Sequence, residues 1–182
     1  LGHLLARLDW VSLGGGIAFT QDGYPIDVLA ARLKAFAEKF GVQVYLEPGD
    51  AVVTGTTTLE VSVLDVIETG KAVAIVDSAV EAHMLDLLIY RESAAVSPDS
   101  GPHRYQIAGK SCLAGDVFGE FAFPAPLAVG DRISLLNAGG YTMVKKNWFN
   151  GVGMPTIAIR RLNGTIEPIR AFVYADYVAS LS

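Results

Sequence analysis

Between Ile26 and Phe40 the apolar side chains Ile26, Leu29, Leu33, Phe36 and Phe40 recur at the spacing of one helical face. Pro25 stands just before this run, where its fixed φ and missing amide suit a helix start. Gly41 follows the run and stops it. Short apolar stretches on either side, Trp10–Leu13 and Val42–Leu46, read as strands. The first runs into Gly14–Gly15–Gly16 and then a polar turn at Gln21–Asp22–Gly23; the second runs into Glu47–Pro48–Gly49. Strand, glycine loop, helix and strand in succession predict the repeating unit of a parallel α/β sheet or barrel over residues 1–50. A helix-like segment (Leu4, Leu5, Leu8) is already under way at the first residue, Leu1 rather than Met, so the sequence is expected to start within a longer protein.

From about Thr58 the pattern changes. Leu59–Ile67 alternates, with Leu59, Val61, Val63 and Asp65 on one face, and Val73–Val76 is a short buried-type run. Ile133–Leu136, Thr156–Ile159 and Ile169–Tyr174 are further strand candidates, punctuated by turns at Gly130–Asp131 and Asn163–Gly164. Residues 93–103, rich in Ser, Ala, Pro, Asp and Gly, predict a long exposed loop. Residues 51–182 are therefore expected to form an antiparallel β domain.

Composition narrows the class. Hydrophobic residues make up 51% of the chain and charged ones only 18%, which predicts a large core or an extensive subunit interface. Every apolar run is interrupted by Asp, Glu, Arg or Gly before it could cross a bilayer, so no membrane partner is expected. With 14 basic against 19 acidic residues the net charge is −5. That offers nothing for nucleic acid and is compatible with a cationic small ligand. The single cysteine, Cys112, excludes an internal disulfide and a multi-cysteine metal site, and no metal site is expected. A reducing cytoplasm is the default setting.

Four places carry candidate chemistry, each with a plainer reading beside it. Gly14–Gly16 after a strand can present backbone amides to a phosphate, or simply make a tight turn. Glu47 at a strand's carboxyl end is placed for catalysis or is a solvated turn carboxylate. Cys112, in a loop bounded by Gly109 and Gly115, is a reactive thiol or a small packed residue. Tyr141, beside Gly139–Gly140, approaches a ligand or fills an interface.

Taken in order, Gly-Gly-Gly after a strand, Glu-Pro-Gly, a cysteine loop closing on Gly115–Asp116, and Gly140–Tyr141–Thr142 ahead of Phe149–Asn150–Gly151 resemble the PLP-dependent decarboxylases of alanine racemase fold. That group includes the ornithine and diaminopimelate enzymes. The longer strings Trp10–Gly16, Val76–Asp86, Ser111–Asp116, Tyr141–Gly151 and Tyr174–Ser182 are similar to its branch acting on carboxynorspermidine. The resemblance covers essentially the whole chain. It implies the end of a PLP-binding (β/α)8 barrel (1–50), followed by a C-terminal antiparallel β-barrel domain (51–182). It implies pyridoxal 5'-phosphate as cofactor and a homodimer with shared active sites. It further implies decarboxylation of carboxynorspermidine or carboxyspermidine, a small polyamine precursor, to norspermidine or spermidine.

By the same resemblance Gly14, Gly15 and Gly16 hold the cofactor phosphate through their amides, and Tyr141 adds a hydroxyl. Glu47 pairs with the pyridine nitrogen, and Cys112 returns a proton to Cα in the partner subunit's site. Asp77 and Asp116 match acidic positions near the substrate's amines; His83 and Glu81 match the substrate-side string without an assigned role. The family's Schiff-base lysine lies before this sequence: none of Lys34, Lys39, Lys71, Lys110, Lys145 or Lys146 matches it, so the chain alone is expected to be inactive. Two departures bear on substrate. Asp50 stands where an Arg follows Glu-Pro-Gly in the ornithine and diaminopimelate enzymes, and Leu113 stands where an acid follows the cysteine. Both favour a triamine over diaminopimelate, ornithine or arginine. The rivals are those enzymes, an inactive homologue that binds a protein partner, and a free-standing β binding module.

Overall fold

The structure, a computed structural model, describes residues 2–68 and 70–181, so Ser182 of the closing string lies outside the described residues. The chain divides into two compact units, Leu1–Thr56 and Thr57–Ser182.

The first unit contains α1 (Gly2–Leu5), β1 (Trp10–Ser12), α2 (Ile26–Phe40) and β2 (Gln43–Tyr45). The strands pair in parallel, Trp10 opposite Gln43 and Ser12 opposite Tyr45, with α2 as the crossover between them. The helical spacing read from the sequence holds: Leu29, Leu33, Phe36 and Phe40 are half-buried, while Ile26 at the helix start is exposed. Gly41 ends α2 in the left-handed region (φ 66°), and its amide donates to the Ala37 carbonyl. A side chain with a Cβ would be strained there, which is why the stop falls on glycine.

The second unit is built on a five-stranded sheet. In chain order its elements are β3 (Leu59–Glu68), β4 (Ala72–Val76), α3 (Val80–His83), α4 (Leu85–Tyr90), β5 (His103–Ala108), β6 (Val117–Phe123) and β7 (Arg132–Leu135). They are followed by α5 (Gly140–Lys145), β8 (Ile157–Arg160), β9 (Ile166–Arg170) and α6 (Tyr174–Ala179). The strand order is β6-β5-β4-β3-β7, with β8 and β9 forming a separate antiparallel hairpin. Val61, Val63, Val76, Val80, Ile107, Phe118 and Leu135 are fully buried and make the core. Each such side chain contributes about 1.5–3 kcal/mol by leaving water.

The sequence-based expectations need three corrections here. The sheet is mixed rather than antiparallel: β4 and β5 run parallel, Val73 opposite Gln106, because α3 and α4 form a crossover that returns the chain to the same end. The sheet curls, and among the described residues no ladder joins β6 to β7. Asp65 does not share the buried face of Val61 and Val63; the ladder shifts between Val63 and Asp65, and Leu64 is the extra residue of that bulge. The segment 93–103 is not all exposed loop, because Ala94 and Val96 are buried, Val96 bridges to Leu135, and β5 begins at His103.

The strand expected over Ile169–Tyr174 ends early, at Arg170. Tyr174 instead opens α6, whose start is fixed by the Asp176 carboxylate accepting the Val173 amide at 2.8 Å. Among the described residues no helix is long and apolar enough to cross a membrane.

Candidate active site

In the first unit the two parallel strands deliver their carboxyl ends side by side. The Leu13 amide donates to the Tyr45 carbonyl at 3.0 Å, and the Glu47 amide to the Gly14 carbonyl at 2.9 Å. The triple-glycine turn is thereby clamped against the Glu47 segment. Gly14 and Gly16 have φ of 74° and 79°, and a Cβ on Gly15 would lie 2.3 Å from the Glu47 carbonyl oxygen. Three consecutive glycines are needed: two for backbone sign and one for close approach. Among the described residues the Gly15 and Gly16 amides have no acceptor, and both residues are exposed. The Glu47 carboxylate is exposed, and its Oε1 accepts the Ser12 hydroxyl at 2.5 Å. Free amides beside an oriented carboxylate suit a phosphorylated, protonated heteroaromatic cofactor. The residues present therefore fit PLP.

In the second unit the candidate residues gather around α3. Asp116 is 4% exposed; its Oδ1 accepts the Val80 amide at 2.8 Å and its Oδ2 the Ser111 amide at 2.9 Å. The resemblance implied a place beside substrate amines, but here both carboxylate oxygens are engaged by main chain. Asp77 is half-buried and holds β3 to the end of β4, its Oδ1 accepting the Ser62 amide at 2.8 Å. Cys112 is exposed in the loop Gly109–Asp116, and the Asn150 side-chain amide reaches its Sγ at 3.6 Å. Asn150 itself adopts φ 56°, a left-handed turn that Asn tolerates better than most residues.

Glu81 and His83 are each 5% exposed, on a helix of one turn. Among the described residues neither oxygen of Glu81 has a hydrogen-bond partner. His83 Nδ1 lies 2.7 Å from the Ser78 hydroxyl, while Nε2 makes no hydrogen bond of good geometry. Burial pushes the imidazole down to about 4, against the main chain of Gly153, which favours the protonated ring, and with Lys110 adding to the depression. His83 is neutral at ordinary pH. Tyr141 lies at the start of α5 and is 54% exposed, with the Lys145 ammonium 5.0 Å over its ring. Lys145 also pairs with Asp86 at 2.5 Å, tying α5 to α4.

The structure thus brings Gly14–Gly16 together with Glu47, and Cys112 together with Asp116, Asp77 and the Glu81–His83 helix. Four participants were missed from sequence: Ser12, Ser78, Asn147 and Asn150. Asn147 holds the turn before Asn150 to α3, donating from its side chain to the Glu81 carbonyl and from its amide to the Ala82 carbonyl, both at 2.8 Å. Asn150 lay inside the Phe-Asn-Gly string, and its left-handed turn is the signal that could have found it.

The first unit thus holds a parallel-strand edge with a glycine cradle and a carboxylate, and the second a sheet with an exposed thiol loop. Residues 33–139, more than half of the chain, match the family model for the pyridoxal-dependent decarboxylase, C-terminal sheet domain. The chain belongs to the pyridoxal-dependent decarboxylase family. It is 62% identical over 181 residues to a carboxynorspermidine/carboxyspermidine decarboxylase of Herminiimonas arsenicoxydans, covering 100% of this chain and 50% of the relative. It is 40% identical to a carboxyaminopropylagmatine decarboxylase of Synechocystis, covering 97% of this chain and 47% of the relative. Among solved structures, it superposes with a TM-score of 0.90 and 38% identity on a Campylobacter jejuni carboxynorspermidine decarboxylase complexed with norspermidine, covering 98% of this chain and 53% of that one. The chain spans about half the length of the curated relatives it matches.

Proposed function

We propose that this chain is part of a PLP-dependent decarboxylase that converts carboxynorspermidine or carboxyspermidine to norspermidine or spermidine. The observation that carries the reading is the exposed glycine cradle clamped to Glu47 at the carboxyl ends of two parallel strands. Parallel strands are normally buried on both faces, so a half-exposed pair supports a larger barrel of which residues 1–50 are the end. We place the closed β-barrel form of the second unit in the same proposal.

When bound, PLP supplies the electron sink for the charge left at Cα as CO₂ departs. The free amides of Gly15 and Gly16 would hold its phosphate, the Gly14 amide being given to the Ser12 hydroxyl oxygen at 3.1 Å, and the resemblance adds the Tyr141 hydroxyl as a further donor. Glu47 would keep the pyridine nitrogen protonated: Ser12 donates to Oε1, and Oε2 would be left to accept. Cys112 moves its Sγ proton to Cα, completing the replacement of carboxylate by hydrogen. Its exposed loop suits delivery to a partner subunit's site in a homodimer. Asp77, half-buried, supplies negative charge for the substrate's ammonium groups, while Glu81, whose buried carboxylate has no hydrogen-bond donor among the described residues, belongs to the substrate side without an assigned role. Asp50 and Leu113 disfavour a distal carboxylate and suit a longer alkyl amine. A cytosolic setting agrees with a single free thiol.

The test is CO₂ release by the full-length protein from carboxynorspermidine, diaminopimelate, ornithine and arginine. Carboxynorspermidine should exceed the others by at least a hundredfold in kcat/KM, and Glu47→Gln should lower kcat far more than PLP affinity. Preference for diaminopimelate would refute the substrate reading; an unchanged kcat in Glu47→Gln would remove Glu47 from the chemistry.

A further inference from the structure

We infer that Asp116 is the positioning residue for Cys112: it aims the thiol by fastening its loop to α3, and it does not contact the substrate's amines. The inference rests on the proposed role of Cys112. Cys112 sits in a turn with no ladder to fix it. Four hydrogen bonds from one residue replace that ladder. The Asp116 carboxylate takes the Val80 amide at 2.8 Å and the Ser111 amide at 2.9 Å. Its own amide donates to the Leu113 carbonyl, and its carbonyl accepts from Gly109, both at 2.9 Å. The restraints therefore fall on both sides of the thiol. The Lys110 amide adds a tether to the Ser78 carbonyl at 2.9 Å.

The same short helix holds the other side of the thiol. Asn147 docks on the carbonyls of Glu81 and Ala82, and Asn150 three residues later reaches Sγ. Val80 through Asp116, and Glu81 and Ala82 through Asn147, set the distance between sulfur and Asn150. A substrate ammonium would need an accessible oxygen. Asp116 is 4% exposed, and the packing is tight enough that a Cβ on Gly109 would lie 2.1 Å from Oδ1.

An isosteric amide has one acceptor where two amides point. Asp116→Asn must therefore release either Val80 or Ser111. In the full-length PLP-loaded enzyme, kcat should fall about 10- to 100-fold with KM within about twofold, less than the roughly 10²–10⁴-fold typical of a general acid lost outright. In a Cys112→Ala background the same change should cost less than about twofold, because both act through one proton transfer. The alkylation rate of Cys112, read by peptide mass spectrometry with and without cofactor, should change at least about fivefold. A raised KM with kcat kept would overturn the inference and make Asp116 a substrate contact. Equal losses in both backgrounds would overturn it in favour of a purely structural role. Full activity of Cys112→Ala would remove the proposed role of Cys112. The alkylation rate then still decides whether Asp116 sets the thiol, and an unchanged rate sinks that too. If Asp116→Asn does not fold, Gly109→Ala presses on the carboxylate from the other side. It should show the same kcat loss and the same dependence on Cys112, and an unchanged kcat would count against the inference.

Discussion

His83 shows how one buried ring links the site to stability. Its imidazole is held near 4, chiefly by burial, while in an unfolded chain it takes a proton near its ordinary 6.5. Between those values the unfolded state binds more protons, so stability is fully present above about pH 6.5 and is lost as pH falls towards 4. The loss amounts to up to about 3 kcal/mol, two and a half units at 1.36 kcal/mol each. His83→Gln should flatten the slope between pH 6.5 and 5, a window above the ordinary carboxylate range, in urea unfolding of the full-length protein at fixed ionic strength. A slope that survives the substitution would place the sensitivity elsewhere. Glu120, exposed and paired with Lys71 and Arg104, has its carboxyl lowered by those hydrogen bonds and is too well solvated to matter to this window.

At the scale of elements, the glycine turn after β1 makes a sharper test than any side chain. A Cβ on Gly15 would meet a main-chain oxygen, Glu47 O, at 2.3 Å, so Gly15→Ala must push the turn off the end of β2. PLP affinity of the full-length protein should fall at least about tenfold in a cofactor titration, with far-ultraviolet circular dichroism unchanged. Unaltered affinity would return Gly14–Gly16 to the status of a simple turn. This unit was legible in sequence because α2 spans four turns, long enough for the 3.6 period to declare itself, and Gly41 marks its end. The second unit was legible where strands alternate, as in β3, or form a short apolar run, as in β4 and β7. β6, Val117–Phe123, is buried on both faces around Gly119 and shows no period. α3 and α4 hold four and six residues, too few for one. The β4–β5 pairing depends on where a crossover lands, which no local pattern encodes. The candidate site residues were named as motif letters, and the letter of Asp116 does not reveal that its two oxygens accept the Val80 and Ser111 amides.

For the whole molecule, the proposed dimer makes a quantitative demand. If Cys112 serves the partner's site, Cys112→Ala subunits mixed with subunits lacking the PLP-anchoring lysine should regain activity, because one hybrid site receives both intact residues. Random mixing of equal amounts makes half the dimers hybrid, each with one working site of two, so recovery should approach about one quarter of wild type. No recovery after demonstrated subunit exchange would rule out the shared site. The second unit has surface to spare for such assembly: Leu162, Ile166, Ile169, Val173 and Tyr174 on β8, β9, α6 and their connections are all more than half exposed.

The parallel crossover between β4 and β5 has a kinetic consequence. The restraints that tie the thiol's loop to the rest of the unit join residues far apart along the chain: Val80 to Asp116, Glu81 to Asn147, Cys112 to Asn150. None of these closures is rewarded until the sheet has brought its strands together, since the loop entropy must be met first. The sheet is therefore expected to condense before the thiol's surroundings, so in hydrogen exchange the amides of Val80 and Ser111 should open more readily than those of β3 and β4. The chemistry proposed for the thiol would then rest on late-forming contacts, and a substitution there should speed unfolding more than it slows folding.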